Sequence, residues 1–433
     1  MRYSLCNHWE FTEQWSDAFC RGEPVSCRPV RLPHTCRELP LHYADPSDYE
    51  MVCGYRRTLT VPDAPRVFLR FDGAAHQAEI YLNGQLAGQH QGGYTGFTIE
   101  ITDLVHRGTE NLLAVRLDTR EDPSLPPFGF VIDYLTYGGL YREVWLETSP
   151  QSRVSDLFVY TPTLTEAAVQ LTVEAPEKAA ALRVRLCSSA GEMLVSRQLP
   201  PAESAECRLT LPDAAPWDTE HPNLYRCIAE LLDTDGQVLH SRETAFGFRT
   251  AVFRADGFYL NGKKTFLRGL NRHQSYPYIG YAAPESLQRQ DDSSSVQRNR
   301  RRPAGRCKKA ITRKASISLM NVTGWACLYL LSCPAGSTSA MGHGKTAPVP
   351  CCGRCCCKTA ITPASYCGVC ASTRVWTMTN SIRAPTKSPT HWTRAGRPLV
   401  CGIWKRAISW RMFTPTTISP TTAQTPGPSG KRM

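Results

Sequence analysis

Between residues 50 and 150, apolar and polar positions alternate in short runs: Tyr-Arg-Arg-Thr-Leu-Thr-Val, Arg-Val-Phe-Leu-Arg-Phe, Gln-Ala-Glu-Ile-Tyr-Leu and Asn-Leu-Leu-Ala-Val-Arg-Leu. A period of two sends successive side chains to opposite faces, so these runs predict half-buried strands of an antiparallel sandwich. Asn83-Gly84 separates Glu-Ile-Tyr-Leu from Gln-Leu-Ala-Gly, and an Asn-Gly pair predicts a two-residue hairpin turn because both central residues need positive φ. A second set follows over 151–250, with Ala-Val-Gln-Leu-Thr-Val, Leu-Arg-Val-Arg-Leu, Arg-Cys-Ile-Ala-Glu-Leu-Leu and Thr-Ala-Phe-Gly-Phe-Arg between Pro, Gly and Asp turns. Its size and rhythm predict an immunoglobulin-like sandwich. A third unit opens at Gly257-Phe-Tyr-Leu, turns at Asn261-Gly262 and enters Lys-Thr-Phe-Leu-Arg-Gly-Leu-Asn-Arg-His, which reads as a hairpin leading into a buried strand with a polar end. Beyond residue 291 neither period is sustained, and Pro, Thr, Ser, Arg and Cys dominate.

Charge divides the chain at the same place. All 38 Asp and Glu lie at or before Asp292, whereas 22 of the 50 Lys and Arg lie after it, so the front carries −10 and the back +22. With about a quarter of residues charged in ordinary proteins, a run of 141 residues without a carboxylate has a chance probability on the order of 10⁻⁸. Eleven of the 19 cysteines also fall after residue 300, five of them at Cys351, Cys352, Cys355, Cys356 and Cys357. That cluster lacks the two separated ligand pairs of a zinc site. The basic run Arg298 to Arg302 has no fold to present it to nucleic acid, so neither metal nor nucleic-acid binding is expected. The eight front cysteines form no C-x-x-C pair, and the start of the chain has no apolar stretch of signal-peptide length, so a reducing, cytoplasmic compartment is expected. No run of about 18 apolar residues predicts a membrane span.

Specific stretches carry a resemblance: Leu32-Pro33-His34-Thr35, His90-Gln-Gly-Gly-Tyr94-Thr-Gly-Phe97 followed by Ile101-Thr-Asp103, and Asp133-Tyr-Leu-Thr-Tyr-Gly-Gly139-Leu-Tyr-Arg142. Trp217, His221-Pro-Asn-Leu-Tyr225, Phe246-Gly-Phe-Arg249 and Arg268-Gly-Leu-Asn271-Arg-His273 continue it. In this order the first 290 residues resemble glycoside hydrolase family 2, of β-galactosidase and β-glucuronidase type. The resemblance implies a mainly β architecture: a jelly-roll-like sugar-binding sandwich over 1–150, an immunoglobulin-like sandwich over 151–250, and only the start of a catalytic (β/α)₈ barrel over 251–290. It also implies retaining hydrolysis of a terminal β-linked sugar, a β-galactoside foremost, in which one carboxylic acid protonates the leaving oxygen and a second carboxylate about 5 Å away attacks the anomeric carbon. Asp133 would reach over the barrel mouth to two sugar hydroxyls, a task suited to an acceptor-only carboxylate; a turn aspartate is the plain alternative. Asn271 and His273 would end the first barrel strand, on the face where barrel sites are built, or else close that strand in a polar network with Arg272. Trp9, Tyr94, Phe97 and Trp217 would be core and interface positions without a stacking role. No cofactor is identifiable in the chain, although the family admits magnesium or sodium ions. The implied partners are a β-glycoside or oligosaccharide, with full-length members forming homo-oligomers.

The resemblance stops where the charge changes. The family's next motifs, N-A-V-R-x-S-H-Y-P and N-H-x-S with W-G-x-x-N-E, are missing from the visible frame. Starting each codon on the third base of the old one, residues 360–374 can encode N-H-P-S-I-V-L-W-G-V-R-I-N-E, whose last Glu straddles Thr373 and Arg374. Two bases of each hidden codon are set by the visible residues, which leaves little freedom to tune the match. Residues 401–423 regroup to R-Y-L-E-K-S-H-L-L-E-D-V-Y-T-Y-N-D-F-S-H-N-G, while 293–309 regroup poorly. The expectation is an out-of-frame, unstructured basic tail over 291–433 and a chain without catalytic glutamates; a non-catalytic carbohydrate-binding fragment and a basic interaction protein are the rivals.

Overall fold

The structure, a computed structural model, describes residues 1–40, 45–122, 135–266 and 275–290, together with three short strands farther on. It is mainly β, as the alternation predicts.

Among the described residues the first sandwich has ten strands: β1 (Arg2–Ser4), β2 (Trp9–Thr12), β3 (Arg28–Val30), β4 (Val52–Thr60), β5 (Arg66–Phe71), β6 (Gln77–Leu82), β7 (Gln85–Gln91), β8 (Phe97–Glu100), β9 (Glu110–Asp118) and β10 (Val144–Ser149). They form a six-stranded sheet ordered β3-β2-β4-β9-β6-β7 and a four-stranded sheet ordered β1-β10-β5-β8. Alternation does what the sequence demands: in β6, Ala78, Ile80 and Leu82 are buried while Gln77, Glu79 and Tyr81 stay partly exposed. At the β6–β7 turn Asn83 and Gly84 have φ of 51° and 79°, as a primed turn requires. The Asn83 side chain locks the turn, donating to Asn111 Oδ1 at 2.9 Å and accepting from the Leu112 amide at 2.9 Å.

The second sandwich pairs β11 (Arg153–Tyr160), β12 (Glu166–Glu174) and β15 (Ser204–Thr210) in one sheet. Its other sheet is ordered β14 (Met193–Leu199), β13 (Ala181–Ser188), β16 (Tyr225–Leu232), β17 (Val238–Phe246). Its ladders are antiparallel, and the core includes Val169, Leu171, Val184, Leu186, Ala229 and Phe248. A small sheet of β18 (Ala251–Arg254), β19 (Gly257–Leu260) and β20 (Lys263–Lys264) follows, turning at Asn261 and Gly262 with φ of 51° and 75°. Asn261 ties it to the second sandwich by donating from Nδ2 to the Trp217 carbonyl at 3.0 Å.

Periodicity does not foretell where residues 275–283 go. Tyr281 and Ala282, 4% and 5% exposed, belong to the core of the first sandwich, so this core takes in residues beyond the sequence span 1–150. Past residue 291, β21 (Ala310–Thr312), β22 (Tyr329–Cys333) and β23 (Ser365–Cys370) pair in parallel, where the sequence shows no sustained period; short apolar runs can pair without alternation.

Candidate functional site

Two motif stretches meet beside the first sandwich's core. The His34 amide donates to the Leu140 carbonyl at 2.9 Å and Cys36 to Gly138 at 3.0 Å. Gly139 has φ of 134°, and a Cβ there would lie 2.4 Å from the His34 carbonyl oxygen. Only glycine fits, because the backbones approach so closely. Gly139 also exchanges backbone hydrogen bonds with Ala75, while the next amide, His76, donates to Asp118 at 3.0 Å. Residues 75–76 therefore join both stems of the segment 119–138.

The stems are further pinned by hydroxyls. Thr119 Oγ1 donates to the Tyr49 carbonyl at 2.6 Å, and the Thr136 amide donates to the Tyr49 hydroxyl at 3.3 Å. Tyr281 packs edge-on against Tyr137 at 4.9 Å, and its hydroxyl donates to the Leu135 carbonyl at 3.0 Å. The buried guanidinium of Arg142 donates to the Tyr281 carbonyl at 2.6 Å, and Ser275 hydrogen-bonds Tyr137. The described residues on the C-terminal sides of two predicted site segments are thus held on one surface. Asp133, Asn271 and His273 themselves lie outside the described residues.

Burial fixes the charge of two nearby histidines. His34 and His76 are both pushed down to about 4, chiefly by desolvation, with Arg28 adding to the effect at His34. Each is neutral at pH 7. His34 Nδ1 lies 2.9 Å from the Tyr55 hydroxyl, so it serves the core. Trp9 and Trp217 are fully buried, Phe97 stacks between Phe71 and His90 at 4.8 and 4.2 Å, and Tyr94 packs toward Tyr281, as expected of core and interface positions. Tyr137, Arg142 and Tyr281 are site-supporting groups that sequence reasoning misses; Tyr137 and Arg142 lie inside the motif that starts at Asp133, a signal that could find them, whereas Tyr281 carries none.

A groove of about 820 Å³ opens elsewhere, between the sandwiches, lined among others by Arg66, Glu100, Asp103, Glu174 and Glu203. Arg66 bridges Glu100 and Glu174 across it, at 2.6 and 2.5 Å. Among the described residues its lining holds no aromatic ring. No cluster of three metal-ligating side chains occurs among the described residues. Nor is any described helix long and apolar enough to cross a membrane. The Cys351–Cys357 cluster and the basic run at Arg298–Arg302 lie outside the described residues.

Two consecutive stretches match sequence profiles of one family: glycosyl hydrolases family 2, sugar binding domain, over residues 30–150, and glycosyl hydrolases family 2 over 152–249. The chain belongs to glycosyl hydrolases family 2. It is 35% identical to a β-galactosidase of Thermoanaerobacterium thermosulfurigenes over 303 residues, covering 66% of this chain and 42% of that protein. Against a β-galactosidase of Thermoanaerobacter pseudethanolicus it is 33% identical over 279 residues, or 60% of this chain and 37% of the relative. The chain thus spans less than half the length of these two relatives. A β-glucuronidase of Bacteroides uniformis shares the fold, with a TM-score of 0.71 at 24% identity over 86% of this chain and 47% of that one.

Proposed function

We propose that residues 1–290 are the supporting part of a retaining family 2 glycosidase acting on terminal β-galactosides, and that this 433-residue chain does not itself turn over substrate. Asp133 accepts hydrogen bonds from hydroxyls of the non-reducing sugar, and Asn271 and His273 complete the polar wall at the end of the first barrel strand. The observation that carries this reading is the Tyr281–Leu135 hydrogen bond. It ties the segment that follows His273 to the stem that follows Asp133, which supports a site shared by the two segments.

Turnover needs two carboxyl groups on opposite sides of the glycosidic bond. The visible frame holds no Asp or Glu after Asp292, and the acid/base glutamate is legible only in the shifted frame, across Thr373 and Arg374. Proton donation alone supplies about 10²- to 10⁴-fold, and here its partner nucleophile is missing as well. The same reading keeps the chain in a reducing, cytoplasmic setting, consistent with eight described cysteines that are all free thiols.

The test compares the 433-residue chain with a frame-corrected, full-length version on an aryl β-galactoside. The chain should give no hydrolysis above a control lacking it, and the corrected protein should be active. Asp133→Ala in the corrected protein should lower kcat/KM at least about tenfold, roughly 1.4 kcal/mol of transition-state stabilisation. Turnover by the uncorrected chain overturns its inactivity; unchanged kinetics in Asp133→Ala remove that residue from the site.

A further inference from the structure

The second sandwich is closed along one side by side chains. Among its described strands β11 is an edge of one sheet and β17 an edge of the other, and stacked sheets lie about 10 Å apart, too far for backbone hydrogen bonds. His240 and Arg242 of β17 sit opposite Leu231 and Ala229 of β16, both core residues, so the two polar side chains share the inward face. They span the gap to the backbone of β11. The Val154 amide donates to His240 Nδ1 at 3.2 Å, and Arg242 donates to the Ser155 carbonyl at 2.5 Å. The register of β11 with β12 shifts between Val154 and Asp156, so both captures fall on a bulge, where the ladder is locally disrupted. The place matters, because only Pro150, Gln151 and Ser152 separate β10 from β11. Release of the first residues of β11 therefore lengthens the connection between the sandwiches.

We propose that His240 is an acid-released latch at this junction: neutral, it holds the bulge of β11 shut, and protonated, it lets residues 153–156 detach and frees the sandwiches to move against each other. To accept from Val154, Nδ1 must carry the lone pair. A proton there turns the acceptor into a donor facing an N–H. Charge works in the same direction. Burial, and then the cations that face the ring, push His240 down to about 4; these are Arg153 of β11, Arg242 of its own strand and the Met1 ammonium of the first sandwich. The acids around them compensate the arginines: Glu174 of β12 pairs with Arg153 at 2.9 Å, while Asp156 of β11 and Glu147 of β10 act on Arg242, against Arg70 of β5. Closed, the ring stays neutral down to about 4, and released it takes a proton near its ordinary 6.5. Opening therefore binds a proton between those values and becomes easier by up to about tenfold per pH unit as pH falls. Above that window the latch stays shut. Arg242 has no such window, because a guanidinium keeps its charge. The latch lies within the sandwiches and does not rest on glycosidase activity.

Amide exchange of the 433-residue chain, followed by mass spectrometry from pH 7 to 4 and corrected for the chemical exchange rate, reads the latch. Protection over residues 150–157 should fall at least about tenfold between pH 6 and 4, while β13 and β16 of the same sandwich fall less. His240→Gln offers Val154 an amide oxygen that does not titrate, and it should remove the fall at 150–157. Where that variant does not fold, exchange of the His240 ring C2 proton, read by peptide in the parent chain, carries the test: titration near 4 is expected, and titration near 6.5 overturns the latch. A flat profile at 150–157, an equal fall in β13 and β16, or a fall that survives in His240→Gln overturns it as well.

Discussion

Every residue in the second sandwich's core lies between Val154 and Phe248, whereas the first sandwich fills its core with residues as distant as Leu5 and Ala282. The second can close as soon as about a hundred residues are in place. The first cannot, because its buried floor beside the segment 119–138 includes Tyr281, contributed from the far side of the intervening domain and of the segment that holds Asn271 and His273. Stability and candidate site are therefore separate matters in the second sandwich and one matter in the first. A disturbance just before residue 281 should be felt more than a hundred residues upstream in sequence.

Tyr281→Ala puts that difference at greatest risk. The side chain is 4% exposed and gives up its contact with Tyr137 and its hydrogen bond to Leu135, so removal should cost about 3 to 5 kcal/mol, as for other large aromatic-to-alanine changes in cores. Hydrogen exchange read strand by strand should show the loss in β4, β5, β9 and β10, with β12, β13 and β16 unchanged. Equal loss of protection in both sandwiches would dissolve the contrast. A fragment ending at residue 254 should show the same asymmetry, with the second sandwich folded and the first weakened.

Acid should separate the sandwiches less sharply. His34 and His76 in the first, and His240 in the second, are all pushed down to about 4 by burial. A buried neutral histidine with a lowered pKa leaves the unfolded chain binding more protons between about pH 6.5 and 4, so stability falls as pH falls through that window. The span of about 2.5 units is worth at most about 3 kcal/mol for His76. Denaturant midpoints measured from pH 7 to 4 should drop for both sandwiches, more for the first, and His76→Gln should flatten the first sandwich's profile. A flat profile in the parent chain would mean that these rings are not neutral through burial.

The sequence makes the strands legible because alternation is a local signal: Ala78, Ile80 and Leu82 face inward in β6 as their spacing dictates, and both Asn-Gly pairs adopt the positive φ that chemistry favours there. The stretches that carry the family resemblance also proved to be structural, with Leu-Pro-His-Thr laid against Gly-Gly-Leu. Long-range placement leaves no period to read. Nothing in Tyr276-Pro-Tyr-Ile-Gly-Tyr announces that its last ring fills a core begun at Leu5, and the Trp15–Tyr81 stack joins residues 66 positions apart. Of the candidate site, sequence names Asp133, Asn271 and His273, while the described structure supplies the residues that follow them in the chain, Leu135 to Tyr137 and Ser275 to Tyr281. The shifted-frame reading leads one to expect no protected amides after residue 300; protection at 310–312, 329–333 and 365–370, where short strands pair in parallel, would refute it.

The smallest effect should come from the join between the two sandwiches. Arg66, on β5, donates to Glu100 of its own sandwich and to Glu174 of the next, and Arg153 grips Glu174 from the second sandwich at 2.9 Å. Burial works to raise the Glu174 carboxyl, but the hydrogen bonds from Arg153 and Arg66 outweigh it and hold the group at about 2. Glu174 is about a third exposed, so water screens much of this gain. Arg66→Ala should accordingly cost only about 1 kcal/mol, because the surviving Arg153 still pairs the carboxylate. What should change is coupling. With the clamp in place, unfolding the first sandwich also removes a partner from the second; without it, the two transitions should move apart in calorimetry. The pKa of Glu174 should rise toward its ordinary value, shifting part of the acid loss of stability from near pH 2 upward toward 4.5. If Arg66→Ala leaves both the separation of the transitions and the Glu174 titration unchanged, Arg153 alone sets that carboxylate and the sandwiches are joined by packing alone.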